Sequence, residues 1–234
     1  DMATMMPAKA REQRANQLAF MAKLKHDLLS GNEVNDLIHN TNENELNIND
    51  KANFSEMKRE HLFLSSMPSD LVEALTKMSA ICEGNWQQAR KECNFNLVEN
   101  SLEELINLTK QEALILSSNL NCSPYESLIQ KYEPLASVKN ITNIFDDLKS
   151  FLVNSIDIII ENQKNQNILT IDKSVSHELQ YEIAKSLMKT IGFDFKRGRL
   201  DESEHPFCGG GTDDVRITTR YDEADLFSSL DSNI

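Results

Sequence analysis

The sequence predicts a mainly α-helical protein with a short β-strand region near its C-terminal end. Glycine marks the division: of seven, only Gly31 and Gly84 fall before residue 190, and Gly192, Gly198, Gly209, Gly210 and Gly211 follow it. Apolar residues recur at helical spacing behind capping signals through the first 190 residues. One β-branched run, Val215 to Tyr221, alternates instead with period two. At 234 residues, 40% hydrophobic and 26% charged, the chain is globular at the polar end of the range and suits one large domain or two small ones.

The helical segments follow in order. Ala8 to Leu29 carries Phe20, Leu24 and Leu28 at i, i+4, i+8. Asn40 to Asn53 is rich in asparagine and reads as a surface connection. Pro68 and Ser69 open a helix with Leu71, Leu75 and Met78 on one face. Ser101 and Glu104 have the spacing of a capping box ahead of Leu105, Ile106 and Leu108. Ser123, Pro124 and Glu126 give another start, with proline at the first helical position, and Pro134 stops that helix. Between Asn140 and Glu161, residues Ile141, Ile144, Phe145, Leu148, Leu152, Ile156 and Ile159 form one apolar stripe. A last helix carries Leu179, Ile183 and Leu187 and ends near Gly192. The expected division is a helical region over 1–192 and a loop and edge-strand region over 193–234. No internal repeat or long heptad run is present.

The strand is the one candidate for a site. Asp214, Arg216 and Thr218 fall on one face over roughly 13 Å, at about 3.3 Å per residue. Arg216 carries a planar fork suited to a carboxylate, and Asp214 can hold it. The same spacing also fits an internal ion pair on a solvated strand face, and spacing alone favours that simpler arrangement.

Composition excludes several functions. With 24 basic and 37 acidic residues the net charge is −13, which opposes nucleic-acid binding. No apolar run approaches the length of a membrane span; the longest, Ile156 to Ile160, contains Asp157. The start lacks the continuous apolar stretch of a secretory signal. Cys82, Cys93, Cys122 and Cys208 are too far apart for C-x-x-C chemistry, so free thiols in a cytoplasmic protein are expected, and the sequons at Asn53, Asn107 and Asn140 then carry no glycan. His177-Glu178 has Tyr181 where a zinc helix needs its second histidine. Gly209 to Gly211 lacks the lysine of a phosphate loop and reads as a flexible turn. His26, His39 and His61 lie on polar stretches and are expected to be solvated.

A family resemblance raises the standing of the strand. Gly198-Arg199-Leu200-Asp201, His205-Pro206-Phe207 and Asp214-Val215-Arg216-Ile217-Thr218 resemble, in order, the tail motifs of the carboxypeptidase Taq metallocarboxypeptidases, which carry H-P-F followed by D-x-R-x-T close to the active site. Upstream, Met5-Met6-Pro7, the W-x-x-A-R pattern of Trp86 to Phe95, Tyr132-Glu133-Pro134 and Gly192-Phe193-Asp194-Phe195 resemble further family segments, so the likeness runs along the whole chain. Cys208 stands where the family more often has threonine or serine, and the tryptophan usual before the first aspartate is missing.

The resemblance implies a helical, groove-forming metallopeptidase fold, similar in plan to neurolysin, with residues 193–234 lining the groove. It implies cytosolic hydrolysis of the C-terminal bond of peptides with broad specificity. A His-Glu-x-x-His helix would hold Zn²⁺ in the complete enzyme, and arginines would anchor the substrate carboxylate. It places His205 beside the groove and Asp214, Arg216 and Thr218 on the polar face of an edge strand, where a peptide can also add by backbone pairing. No metal ligand and no catalytic residue is expected within this chain, because the family's metal helix follows just beyond the matching segment. The expectation is therefore an N-terminal part that binds no metal by itself and leaves apolar surface uncovered. Peptides are the implied partners; neither nucleic acid nor membrane is, and a homodimer stays open because dimers are common in the family. The competing reading is a non-enzymatic helical interaction module.

Overall fold

A computed structural model describes residues 2–164, 166 and 174–226. The chain divides into two compact units, Ala8–Ile156 and a second built from Asp1–Pro7 with Asp157–Ile234. Each is taken in turn.

The larger unit is helical. A short 3-10 turn, Ala8–Ala10, leads into α1 (Arg11–Leu29), followed by α2 (Asn32–Asn40), α3 (Ile48–Ser66), α4 (Ser69–Lys91), α5 (Asn96–Leu120) and α6 (Pro124–Ile129). Helix α7 (Val138–Lys164) begins here, and the division between units falls within it. Small residues let α1 lie close to α4: Ala15 and Ala19 are buried, and a Cβ on Gly84 would sit 2.8 Å from Arg11 Cδ. Arg11 Nη1 donates to Gly84 O at 2.8 Å. Helices α4 and α5 enclose Cys82, Ala89 and Val98 with Trp86, while Met67, Leu71 and Leu116 form a second cluster with Phe63. Serine caps α6 as expected, with Ser123 Oγ accepting from Glu126 N at 3.2 Å.

Four expectations change here. The buried stripe of α1 is Ala15, Ala19 and His26, and Phe20, Leu24 and Leu28 face solvent, because backbone proximity to α4 selects the small residues. His26 is 6% exposed rather than solvated, its Nε2 2.7 Å from the Met67 carbonyl, which only accepts. The asparagine-rich segment is largely structured: Glu43–Glu45 is a 3-10 turn, and Asn47 Oδ1 accepts from Asn49 N and Asp50 N to start α3. Helix α5 begins at Asn96, so Ser101 lies inside it and donates to Val98 O at 2.9 Å instead of capping.

Helix α7 spans the expected segment, yet none of its residues is buried. Val138 and Ile141 are half-buried, and the large apolar side chains from Ile144 to Ile160 stay open, from 42% exposure at Leu152 to 65% at Phe151. No described helix is long and apolar enough to cross a membrane.

In the second unit, α8 (His177–Thr190) packs on a three-stranded sheet of β1 (Gly198–Glu202), β2 (Cys208–Gly211) and β3 (Asp214–Thr219). Ser176 caps α8 at one end. At the other, Gly192 takes φ +93°, and Phe193 N reaches Met188 O at 2.9 Å while Gly192 N reaches Lys189 O at 3.1 Å. Ala184 and Met188 meet Leu200, with Tyr181, Phe193, Phe195 and Ile217 around them. Residue 192 therefore sits within one core, and a division at 192/193 would cut through it.

The strand order is β1-β3-β2, with β3 parallel to β1 and antiparallel to β2. The Asp214 strand is thus central, not an edge, and both of its backbone sides are already paired. Gly209 to Gly211 forms β2 rather than a flexible turn. Gly210 has φ +99°, and a Cβ there would lie 2.0 Å from Asp214 O. Gly210→Ala is expected to cost about 1–3 kcal/mol in denaturant unfolding. Gly209→Ala, with no atom within 4 Å of its added Cβ, is expected to be near neutral; equal effects would remove the steric argument.

Candidate functional site

The polar face of the sheet is built by register. Strand alternation places Asp214 and Arg216 on one side, and cross-strand pairing sets Arg199 beside Arg216 and Asp201 beside Thr218. On the other flank Gly209 lies opposite Arg216 and Gly211 opposite Asp214. These glycines place no side chain over the pair.

Arg216 grips Asp214 in a fork, Nε to Oδ1 and Nη2 to Oδ2, the latter at 3.1 Å. Arg199 grips Asp201 in the same way, Nε to Oδ2 at 2.6 Å and Nη2 to Oδ1 at 2.8 Å. The two guanidinium groups would repel as direct cross-strand neighbours, and each carries its own carboxylate two residues away. The hydrogen bond and charge of Arg216, with Arg199 adding to the field, hold the Asp214 carboxyl below its ordinary range. Asp214 in turn raises Arg216. Neither forked arginine uses its Nη1 in a hydrogen bond among the described residues. That edge is left for an acceptor arriving from solvent.

Thr218 is different in kind. It is 1% exposed, so it does not share the water-facing position of Asp214 and Arg216. Ser203 Oγ lies 2.9 Å from His205 O and 2.7 Å from Thr218 Oγ1. A carbonyl only accepts, so Ser203 gives its single proton to His205 O, and Thr218 Oγ1 donates to Ser203 Oγ. Thr218 Oγ1 also accepts from Phe207 N at 2.9 Å, and Thr218 N donates to Phe207 O at 2.8 Å. The threonine therefore pins the His205-Pro206-Phe207 loop to β3. His205 itself lies exposed on that loop.

Sequence reasoning passed over three groups. Arg199 and Asp201 have the same i, i+2 spacing as Asp214 and Arg216, which was the available signal. Tyr221 had no such signal. It shares a cavity of about 500 Å³ with His177, Glu178, Tyr181 and Glu202, and its ring lies 5.6 Å from that of His177. Its hydroxyl has no partner among the described residues. Burial, then Glu202 and Tyr181, push its pKa up to about 12.

With this geometry in hand, comparison with known proteins is decisive. The model of the carboxypeptidase Taq (M32) metallopeptidase family matches residues 1–234. The chain belongs to that family. It is similar to thermostable carboxypeptidase 1 of Thermus thermophilus, at 29% identity over 98% of this chain and 47% of that protein. Among solved structures, the BsuCP crystal structure superposes with a TM-score of 0.88 at 26% identity, covering 98% of this chain and 46% of that one. Metallocarboxypeptidase 1 of Trypanosoma cruzi gives 0.79 at 31% identity, covering 98% and 47%. The chain thus spans about half the length of the M32 relatives it matches.

The family implies a metal. Among the described residues no three His, Cys, Asp or Glu side chains come together to hold one. His177 instead sits against Tyr221.

Thr218→Val is expected to destabilise the second unit by about 1–3 kcal/mol, since Phe207 N loses a buried acceptor; chemical denaturation measures this. Tyr221 binds its proton more tightly folded than at the ordinary value near 10. Its ionisation therefore opposes the folded state, and stability should fall as pH rises from about 10 to 12. Tyr221→Phe should flatten that slope and remove the late absorbance phase at 295 nm.

Proposed function

We propose that this chain supplies the carboxylate-anchoring face of a zinc-dependent, cytoplasmic metallocarboxypeptidase that removes the C-terminal residue of peptides with broad specificity. Membership of the M32 family along the whole chain carries the reading, and the paired arginine forks give it a chemical basis. The Zn²⁺ would polarise the scissile carbonyl and activate water, and its ligands lie outside the described residues.

The residues of this chain do the positioning. Arg216 has Nε and Nη2 committed to Asp214, so its remaining N–H edge meets a peptide carboxylate at a fixed orientation. Arg199 presents a second edge about 4.8 Å away on the neighbouring strand. The Asp214 and Asp201 carboxylates keep the two cations side by side before a substrate carboxylate arrives, which preorganises the site. Substrate then adds a charge-assisted bond without having to order a free arginine. His205 sits on the loop beside this face. Thr218 serves substrate through that loop rather than by contact. Backbone addition of a peptide to β3 is not used, because both of its sides are paired.

In an enzyme of full family length carrying these residues, Arg216→Ala is expected to lower kcat/KM by about 10- to 100-fold, the equivalent of one charged hydrogen bond. The fall should appear chiefly in KM, and product amino acids should lose affinity as inhibitors in parallel. An unchanged kcat/KM would remove Arg216 from the substrate site.

A further inference from the structure

One cavity of the larger unit takes no part in the site on the sheet. Its volume is about 580 Å³, within the ~300–1,000 Å³ of small-molecule sites. On α5 the lining residues Leu105, Thr109, Glu112 and Leu116 fall at i, i+4, i+7 and i+11, one face of the helix. Helix α4 lends Val72, Leu75 and Thr76, and Phe63 and Met67 complete an apolar floor. The polar groups on its walls are few and specific. Glu112 is 8% exposed, and its Oε1 accepts from Lys131 Nζ at 2.6 Å. Lys131 lines the cavity too. A buried ion pair is costly to desolvate, and apolar residues in its place often hold a fold as well or better. Stability alone therefore does not account for the pair. Glu112 Oε2 and two of the three Lys131 N–H groups have no hydrogen-bond partner among the described residues. Thr76 and Thr109 give their hydroxyl protons to Val72 O and Leu105 O, both at 2.8 Å. Toward a ligand each hydroxyl can only accept.

We propose that this cavity binds a free apolar α-amino acid, its ammonium on Glu112, its carboxylate on Lys131 and its side chain on the floor of Phe63 and Met67. Both ligand charges are needed. An amine alone would pair with Glu112 and set a second cation beside Lys131. A carboxylate alone would bring a second anion to Glu112. An uncharged ligand would close over Glu112 Oε2 and the Lys131 N–H groups without replacing their water. The zwitterion meets each donor with an acceptor and leaves the site neutral. Its ammonium also suits the two threonine hydroxyls, which offer lone pairs only. Apolar amino acids are among the products of the reaction proposed above. The binding does not rest on that reading, because no residue lining the cavity belongs to the carboxylate-anchoring face.

The test is methyl NMR of the full-length polypeptide carrying these residues, with its methionine methyls labelled, titrated with L-phenylalanine. The Met67 methyl is expected to shift saturably, while that of Met188, in the core of the second unit, stays fixed. Phenethylamine and 3-phenylpropanoate each lack one of the two charges and are expected to bind at least about tenfold more weakly. Glu112→Gln removes the charge at constant size and is expected to weaken L-phenylalanine by a similar factor. Thr76→Leu narrows the cavity and removes an acceptor without touching the ion pair. It should weaken binding likewise, and it decides the matter if Glu112→Gln does not fold. No saturable shift at Met67 in the folded protein overturns the proposal. So does equal affinity for the three ligands, or full affinity in a folded Thr76→Leu variant. Because Met67 reports only on this cavity, loss of its response and loss of peptidase activity are separate results.

Discussion

Hydrogen bonding along both sides of β3 is the constraint on which the second unit depends. A six-residue strand paired in parallel on one side and antiparallel on the other has its side-chain directions set by two registers at once. That double pairing sends Ile217 toward Ala184 and Met188 and Arg216 toward solvent. It also brings Arg199 alongside Arg216. A slip of one residue in β3 would exchange its faces, turning the Arg216 guanidinium toward α8 and Ile217 toward solvent. The bonds from Thr218 to the Ser203–Phe207 loop reinforce the same register from above.

Much of this was legible in the residues. Gly192 and Ser123 marked helix ends because each motif is local and its geometry is nearly obligatory. The Asp214–Arg216 pair could be read from i, i+2 spacing along a strand. The position of β3 could not, because strand order depends on which segments pair, and Cys208 to Gly211 carries almost no side-chain information. The alternating polar row likewise did not reveal that Thr218 is covered, since the covering loop comes from residues 203–207. The twin pair on β1 was hidden for a related reason. Arg199 and Asp201 become site residues only through their neighbours across the sheet.

Misreadings in the helical unit have another origin. The stripe of Phe20, Leu24 and Leu28 is more hydrophobic than that of Ala15 and Ala19, so periodicity favoured the wrong side of α1. The face of α1 that is buried carries Ala15 and Ala19, at 0% and 2% exposure, while the space over Gly84 on α4 is taken by the Arg11 side chain. His26 is buried on the same helix, with the Met67 carbonyl satisfying its ring. Size, rather than hydropathy, orients this helix.

The junction after β3 adds a mechanical property. Gln180 Nε2 donates to Asp222 O at 2.7 Å and to Val175 O at 2.8 Å, and Val175 N donates to Glu223 O at 3.0 Å. The segment leaving the sheet is thereby stitched to the start of α8. Tension applied at Leu226 would load these bonds together before it reached the ladder of β3. Force would arrive at the sheet as shear shared with a helix, so the strand would resist being peeled away one hydrogen bond at a time.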